Sequence, residues 1–331
     1  MFLAGDVGGT KTHLGLFSKN SGGRHPAVEA EFTSTEYPDI ESIVNIFLSN
    51  VDTSIDTAIF GVAGPVECGR ARITNLPWIM DEDKISRTLN IPSVRLINDL
   101  EAIAYAVPFL GSPDLRVLNE GRIVIGGPIA VIAPGTGLGE AFLLWDGSEY
   151  RAHASEGGHA DFAPRNVLEE ELLQHLRKHY GHVSYERVCS GQGIYQIYRF
   201  LRDRNPDREP SWLKEIMMDE RDPTPAIVNT AMDPIRSCDL CVEAINLFVS
   251  ILGAEAGNTA LKFLATGGVY IAGGISRRIV PFLENGRFLE SFRHKGRMTD
   301  LVSRMPVYVI VYQKVALLGV ACYTFKHMLK I

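Results

Sequence analysis

Phe2-Leu3-Ala4-Gly5-Asp6-Val7-Gly8-Gly9-Thr10-Lys11-Thr12-His13-Leu14-Gly15-Leu16-Phe17 opens with a short apolar run, turns on glycines and returns in a second apolar run. Such runs bounded by glycine read as strands, so the segment is a hairpin with an unusual turn. The turn itself is chemically loaded. Glycines let backbone N–H groups point at anionic oxygens with no Cβ in the way, and an Asp beside them can hold Mg²⁺ through its water shell. A glycine-rich hairpin without a ligand gives the same string, so the turn alone leaves both readings open.

The pattern occurs again in the second half of the chain. Ile129-Ala130-Val131-Ile132-Ala133 runs into Pro134-Gly135-Thr136-Gly137-Leu138-Gly139 and then Ala141-Phe142-Leu143-Leu144-Trp145. No Gly-Lys-Ser/Thr follows, which excludes a P-loop. A strand rather than a helix after the glycines disfavours a Rossmann site. Two such turns, one from each half, could clasp one phosphate chain.

Between the two turns, strands are predicted at Ala58–Ala63 and Val94–Ile97, with helices at Ile40–Leu48 and Asp81–Leu89. From Val167 to about Leu264 the pattern is mostly helical, with an apolar-periodic segment from Ile235 to Leu264. Val269–Ala272 returns to strand, Gly273-Gly274 starts a helix, Val307–Val311 is a strand, and Val315–Leu329 closes the chain as a helix. The glycines, including the pair Gly22-Gly23, punctuate the ends of apolar runs. The Pro/Gly-containing crossing near Val107–Ser112 divides an α/β chain into two lobes, residues 1–110 with 313–331 and residues 111–312, joined by short connections able to hinge.

Composition removes whole classes. The 331 residues are 46% hydrophobic and 22% charged, which is ordinary for a folded chain of about two domains and excludes disorder, collagen and coiled coil. A net charge of −6 with no long Lys/Arg run argues against nucleic acid as a partner. No basic n-region precedes an apolar stretch, and no window approaches the ~18 apolar residues of a span, so no membrane partner is expected and the cytoplasm is the expected compartment. Five cysteines, an odd number, are expected to be reduced thiols. Cys238 and Cys241 have CxxC spacing but no companion ligands, so a plain helix position is the simpler reading.

Three further clusters carry possible chemistry. Asn98-Asp99 follows a strand at its carboxyl end, where α/β sheets bind ligands and where an Asp can take a hydroxyl proton during attack on phosphorus. The same pair can equally be a helix cap. Glu156-Gly157-Gly158-His159 and Glu186 add carboxylates and an imidazole, and with Asn98 they suit a polyol. Read singly, His159 and Glu186 are also ordinary loop and helix-start residues.

Taken together and in order, these elements resemble the bacterial glucokinase family. The match runs through Asp6–Thr10, Ala63-Gly64-Pro65-Val66, Thr74-Asn75-Leu76-Pro77-Trp78, Asn98-Asp99, Ala133–Gly139, Glu156–Pro164, Glu186-Arg187-Val188 and Gly267–Ile275. The resemblance implies two actin-like (ribonuclease H-like) lobes with a ligand cleft between them, the second enlarged by helices. It implies phosphorylation of the 6-hydroxyl of glucose by ATP with Mg²⁺. On that likeness Asp99 is the catalytic base, and Asn98, Asp99, Glu156, His159 and Glu186 contact the sugar. Asp6, Gly8, Gly9, Thr10, Lys11, Gly135, Thr136 and Gly137 form the phosphate loops, with Asp6 facing Mg²⁺ through water. Gly273 and Gly274 pack against adenosine, and a homodimer is expected.

No cysteine-rich zinc loop follows His159, so the chain resembles the zinc-free branch, and no DNA-binding module is expected before Asp6. A kinase of another hexose remains an alternative, as does a non-catalytic sugar sensor or an actin-like ATPase. The Asn98-Asp99 pair speaks against the sensor, and the polar Glu156/His159/Glu186 set against the filament.

Overall fold

The computed structural model describes residues 1–18, 23–51, 53–219 and 222–327; Gly22 and residues 328–331, including the expected end of the closing helix at Leu329, lie outside them. The chain forms two compact units. The first holds Met1–Gly111, Glu149–Ala154 and the chain from Tyr312, and the second Ser112–Ser148 with Ser155–Val311.

In the first unit β1 (Phe2–Val7) and β2 (Lys11–Phe17) pair antiparallel, with Val7 opposite Thr12, and β3 (Val28–Thr33) extends the meander. After α1 (Ile40–Leu48), capped by the Asp39 carboxylate on Ser42 N–H, comes β4 (Thr57–Val62), buried at every position. A small antiparallel sheet unforeseen in the sequence follows, β5 (Val66–Glu67), β6 (Arg70–Arg72) and β7 (Ile79–Asp81). Then come α2 (Glu82–Leu89), β8 (Ser93–Asn98) and α3 (Asp99–Ala106). The main sheet runs β3-β2-β1-β4-β8, with β1, β4 and β8 parallel. In register, Val7 faces Val62 and Val62 faces Asn98, so three strands end side by side at one edge.

The second unit repeats that plan. β9 (Leu115–Asn119) lies at an edge, and β10 (Ile129–Pro134) pairs antiparallel with β11 (Leu138–Trp145) across the Gly135-Thr136-Gly137 turn. β12 (Tyr150–Ser155) is grouped mostly with the first unit. The helices α4 (Val167–Arg177), α5 (Gly191–Arg204), α6 (Ser211–Asp219) and α7 (Thr224–Met232) lead to the 25-residue α8 (Asp239–Phe263). β13 (Gly268–Ile271) runs parallel to β10 and leads into the short helices α9 (Gly274–Arg278), α10 (Val280–Glu284), α11 (Arg287–Arg293) and α12 (Thr299–Ser303). β14 (Val307–Ile310) runs parallel to β13, and the order is β11-β10-β13-β14-β9.

Two expectations change here. The apolar segment expected from Ile235 starts instead at Asp239, because the Asp233 carboxylate takes the N–H groups of Ile235 and Arg236 and forms a turn that leaves Ile235 exposed. And α8 is, by length and composition, apolar enough to cross a membrane, although no such window was expected. Its richest 18 residues are 78% buried within the fold, and a helix surrounded by core is apolar on all sides.

The last helix, α13 (Val315–His327), returns to the first unit and packs on α3. Gly319 makes this possible: a Cβ there would strike the Ala102 carbonyl oxygen. The terminal helix thus braces the helix that begins at Asp99.

Candidate active site

At the carboxyl edge of the first sheet the Gly8-Gly9-Thr10 turn is held by its surroundings. Gly8 N–H donates to Lys11 O at 2.9 Å, the Ser34 hydroxyl donates to Gly8 O at 2.9 Å, and Ser34 N–H donates to Thr10 O. Ser34, buried against the hydroxyl of Thr12 at 3.0 Å, is a brace the sequence did not advertise. Gly9 is required sterically, since a Cβ would lie 2.5 Å from Thr74 O. The Lys11 ammonium pairs with Glu31 at 2.6 Å across β2 and β3, an exposed ion pair.

Asn98 and Asp99 occupy the junction of β8 and α3. Asn98 is the helix cap, its Oδ1 accepting from Leu100 and Glu101 N–H, while its Nδ2 donates to Gly64 O at 3.2 Å. The cap and the ligand reading are therefore compatible, because capping fixes the strand-to-helix corner on which Asp99 stands. Asp99 is partly exposed, and burial raises its carboxyl to about 6 despite hydrogen bonds from Leu100 N–H and Asn98. A carboxylate with that value is mostly ionised at neutral pH and is a competent proton acceptor.

In the second unit the predicted loops meet. Gly135 N–H donates to Gly137 O at 2.8 Å, closing the turn, and Gly191 N–H donates to Gly135 O at 2.8 Å. The Thr224 hydroxyl donates to Gly191 O, so α5 and α7 both begin at this loop, a frame not visible in the sequence. Gly273, at φ +89°, sits against Pro134, whose carbonyl oxygen would strike any Cβ there. Gly135 has open space where a Cβ would stand.

Beside that loop His159 gathers two carboxylates. Its Nε2 lies 3.7 Å from Glu156 Oε2 and its Nδ1 4.0 Å from Glu186 Oε1. Glu186 Oε2 accepts from Leu138 N–H at 3.1 Å and lies so close to Gly137 that a Cβ there would displace this carboxylate. Glu156, His159 and Glu186 thus form one polar group, with hydroxyl-accepting carboxylates on either side of an imidazole. Gly157 and Gly158 let this turn lie on β11, where Cβ atoms would meet the Glu140 carboxylate and the Leu138 carbonyl oxygen.

Behind the turn is a buried polar network that hydrophobic patterning gave no means of finding. Glu255 on α8 is fully buried and accepts from Asn258 Nδ2 at 2.9 Å and Lys262 Nζ at 3.3 Å. Asn258 also donates to the Tyr185 hydroxyl at 3.0 Å and accepts from Lys295 at 2.5 Å. Cys238 and Cys241 are buried at the start of α8, and burial pushes the Cys241 thiol up, as suits an inert core cysteine.

For Mg²⁺ the donor set is sparse. Among the described residues no group of three or more His, Cys, Asp or Glu side chains is arranged for a metal. Mg²⁺ is commonly held by phosphate oxygens and water with one or two carboxylates, and Asp6, the last residue but one of β1, is a carboxylate next to the first glycine turn.

Comparison with known proteins gives a consistent result. A family model described as Glucokinase matches residues 3–327. A glucokinase of Nostoc sp. is 44% identical, the match covering 97% of this chain and 98% of that protein. The crystal structure of a glucokinase from an Antarctic psychrotroph superposes with a TM-score of 0.80 at 30% identity, covering 97% of both chains. A glucokinase from Balamuthia mandrillaris, solved in complex with glucose, gives a TM-score of 0.80 at 22% identity over 98% of this chain and 93% of that one, a likeness of fold.

Proposed function

This chain belongs to the glucokinase family, with the actin-like ATPase fold, and from that premise we propose that it transfers the γ-phosphoryl group of ATP to the 6-hydroxyl of D-glucose, giving glucose 6-phosphate and ADP. The observation that carries the proposal is Asp99: a carboxylate at a strand end, raised to about 6 by burial.

In this reading Asp99 accepts the 6-hydroxyl proton as the oxygen meets the γ-phosphorus. Phosphoryl transfer has a loose transition state, so alignment matters more than basicity and the proton leaves late. Asn98, Glu156, His159 and Glu186 hold the sugar hydroxyls, each carboxylate oxygen accepting from a hydroxyl. The Gly8–Thr10 and Gly135–Gly137 turns offer N–H groups to the phosphates, and the Gly273-Gly274 segment packs against adenosine. Asp6 would hold Mg²⁺ through water, and the ion would supply neutralisation of phosphate charge. Lys11, already paired with Glu31, acts on the loop from its rim. A cytoplasmic homodimer completes the reading.

The test is ADP production with ATP and Mg²⁺ over glucose, mannose, fructose and N-acetylated amino sugars, with a control lacking sugar. We expect turnover selective for glucose and little ATP hydrolysis without it. Selectivity for another hexose would replace the substrate, and no turnover with any sugar would overturn the proposal.

A further inference from the structure

Beneath the Glu156–His159 turn lies a second pair of carboxyl groups that does not touch solvent. Glu140, on β11, is 2% exposed and Glu255, on α8, is 0% exposed. The two carboxyls face each other at hydrogen-bonding range, with Thr259 also reaching Glu140. Two carboxylates cannot hydrogen-bond each other, and Glu140 Oε1 has no partner as an ionised acceptor. One proton resolves both facts, because a protonated carboxyl donates to its ionised neighbour.

The remaining charges fix which side keeps the proton. Glu255 takes the ammonium of Lys262 and the amide of Asn258. Lys295 faces Glu255 from beyond α11, held by Ala254 O and Asn258 Oδ1, and Arg165 approaches from before α4. Cys189 and Glu169 complete the surroundings. Glu140 has the more distant Lys262 as its cation, and burial and the facing Glu255 push its carboxyl well above the ordinary carboxylate range.

Each carboxyl supports one of the sugar-contact turns. Glu140 Oε2 lies directly under Gly157, where a Cβ would displace the carboxylate. Glu255 reaches Tyr185 through Asn258, and Tyr185 is the neighbour of Glu186 in the Tyr185–Arg187 turn.

We propose that Glu140 and Glu255 are positioning residues that share one proton and hold the Glu156–His159 and Tyr185–Arg187 turns in their sugar-binding arrangement, so that loss of the proton loosens both turns and weakens sugar binding. With both groups ionised, like charges meet in a low-dielectric interior and must separate or admit water. The strand and helix beneath the turns then shift. The chemical step at Asp99 belongs to the other unit and is untouched.

The substrate part of this inference rests on the proposed glucokinase activity; the proton-linked turn does not, and two measurements keep them apart. The first is hydrogen exchange of the amides in residues 156–160 and 185–189, corrected for intrinsic rate, from about pH 6 to pH 9. The parent protein should lose protection on the order of threefold or more as the pair ionises, whereas Glu140→Gln, neutral at every pH, should stay level. The second is glucose KM over the same range, rising in the parent and flat in Glu140→Gln, with kcat following the same pH course in both. Glu255→Gln, whose amide can serve Glu140 in either state, provides a second variant should the first unfold. Equal pH dependence of turn protection in parent and variants would overturn the shared proton. Flat protection in the variant with an unchanged KM profile would overturn the link to sugar binding. Proton-dependent protection without any glucose turnover would leave the turn intact and remove the substrate.

Discussion

A general base working near neutrality needs a value close to the ambient pH and no strong cation holding it ionised. Asp99 meets both conditions: burial raises it from 3.8 to about 6, and only hydrogen bonds from Leu100, its own N–H and Asn98 oppose the rise. Turnover should therefore fall about tenfold per unit as pH drops below about 6, which a kcat–pH profile reads directly. Asp99→Asn should lose roughly 10²-fold or more in kcat while gaining stability. A carboxyl whose folded value lies above its unfolded one binds its proton more tightly when folded, so its cost is absent below 3.8 and fully present above about 6. Removing it should stabilise the protein by about 1–3 kcal/mol at pH 7 and hardly at all at pH 4. Urea unfolding at both pH values checks this; near-normal turnover in the variant would end the role given to Asp99. At this scale the sequence showed the residue and its strand-end place. It could not show the raised value, which comes from burial in the folded protein.

The elements explain how such residues are held. β1, β4 and β8 are parallel and in register, so the first glycine turn, the Ala63-Gly64 corner and Asn98-Asp99 emerge at one sheet edge. Helix α3 is pressed against α13 by a glycine contact that tolerates no side chain. Gly319→Ala should force the two backbones apart, destabilise by about 1–3 kcal/mol and lower kcat more than the same loss of stability elsewhere. An unaltered unfolding midpoint would show that the contact is not tight. The helix at Ile40–Leu48 was legible because the apolar spacing is helical, and the structure adds the Asp39 cap that starts it. The little sheet from Val66 to Asp81 was not, because strands of two or three residues carry too few alternations to register as a period.

Over the whole molecule, the absence of disulfides can be tested without substrate. All five cysteines are free thiols, and only Cys68 is exposed. Titration of the native protein with a thiol reagent should give one fast equivalent at Cys68 and release the other four only on unfolding. Fast reaction at Cys238 or Cys241 would contradict their burial at the start of α8. α8 shows how composition misleads at this scale: its apolar character is that of a bilayer span, yet it is mostly buried inside a folded unit.

The sequence by itself determined the repeated strand–turn–strand plan and the glycine turns, and it supplied the candidate site residues, since these depend on local periodicity and on side-chain types written in order along the chain. Tertiary structure alone decided which groups lie behind them: Ser34 under the first turn, Gly191 and Thr224 around the second, and the Glu140–Glu255 pair beneath the Glu156–His159 and Tyr185–Arg187 turns. Glu140 and Glu255 are 115 positions apart by number, and nothing in either neighbourhood marks a carboxylate as buried. A buried charge becomes tolerable through its partners, and partners are chosen by packing, which no local pattern records.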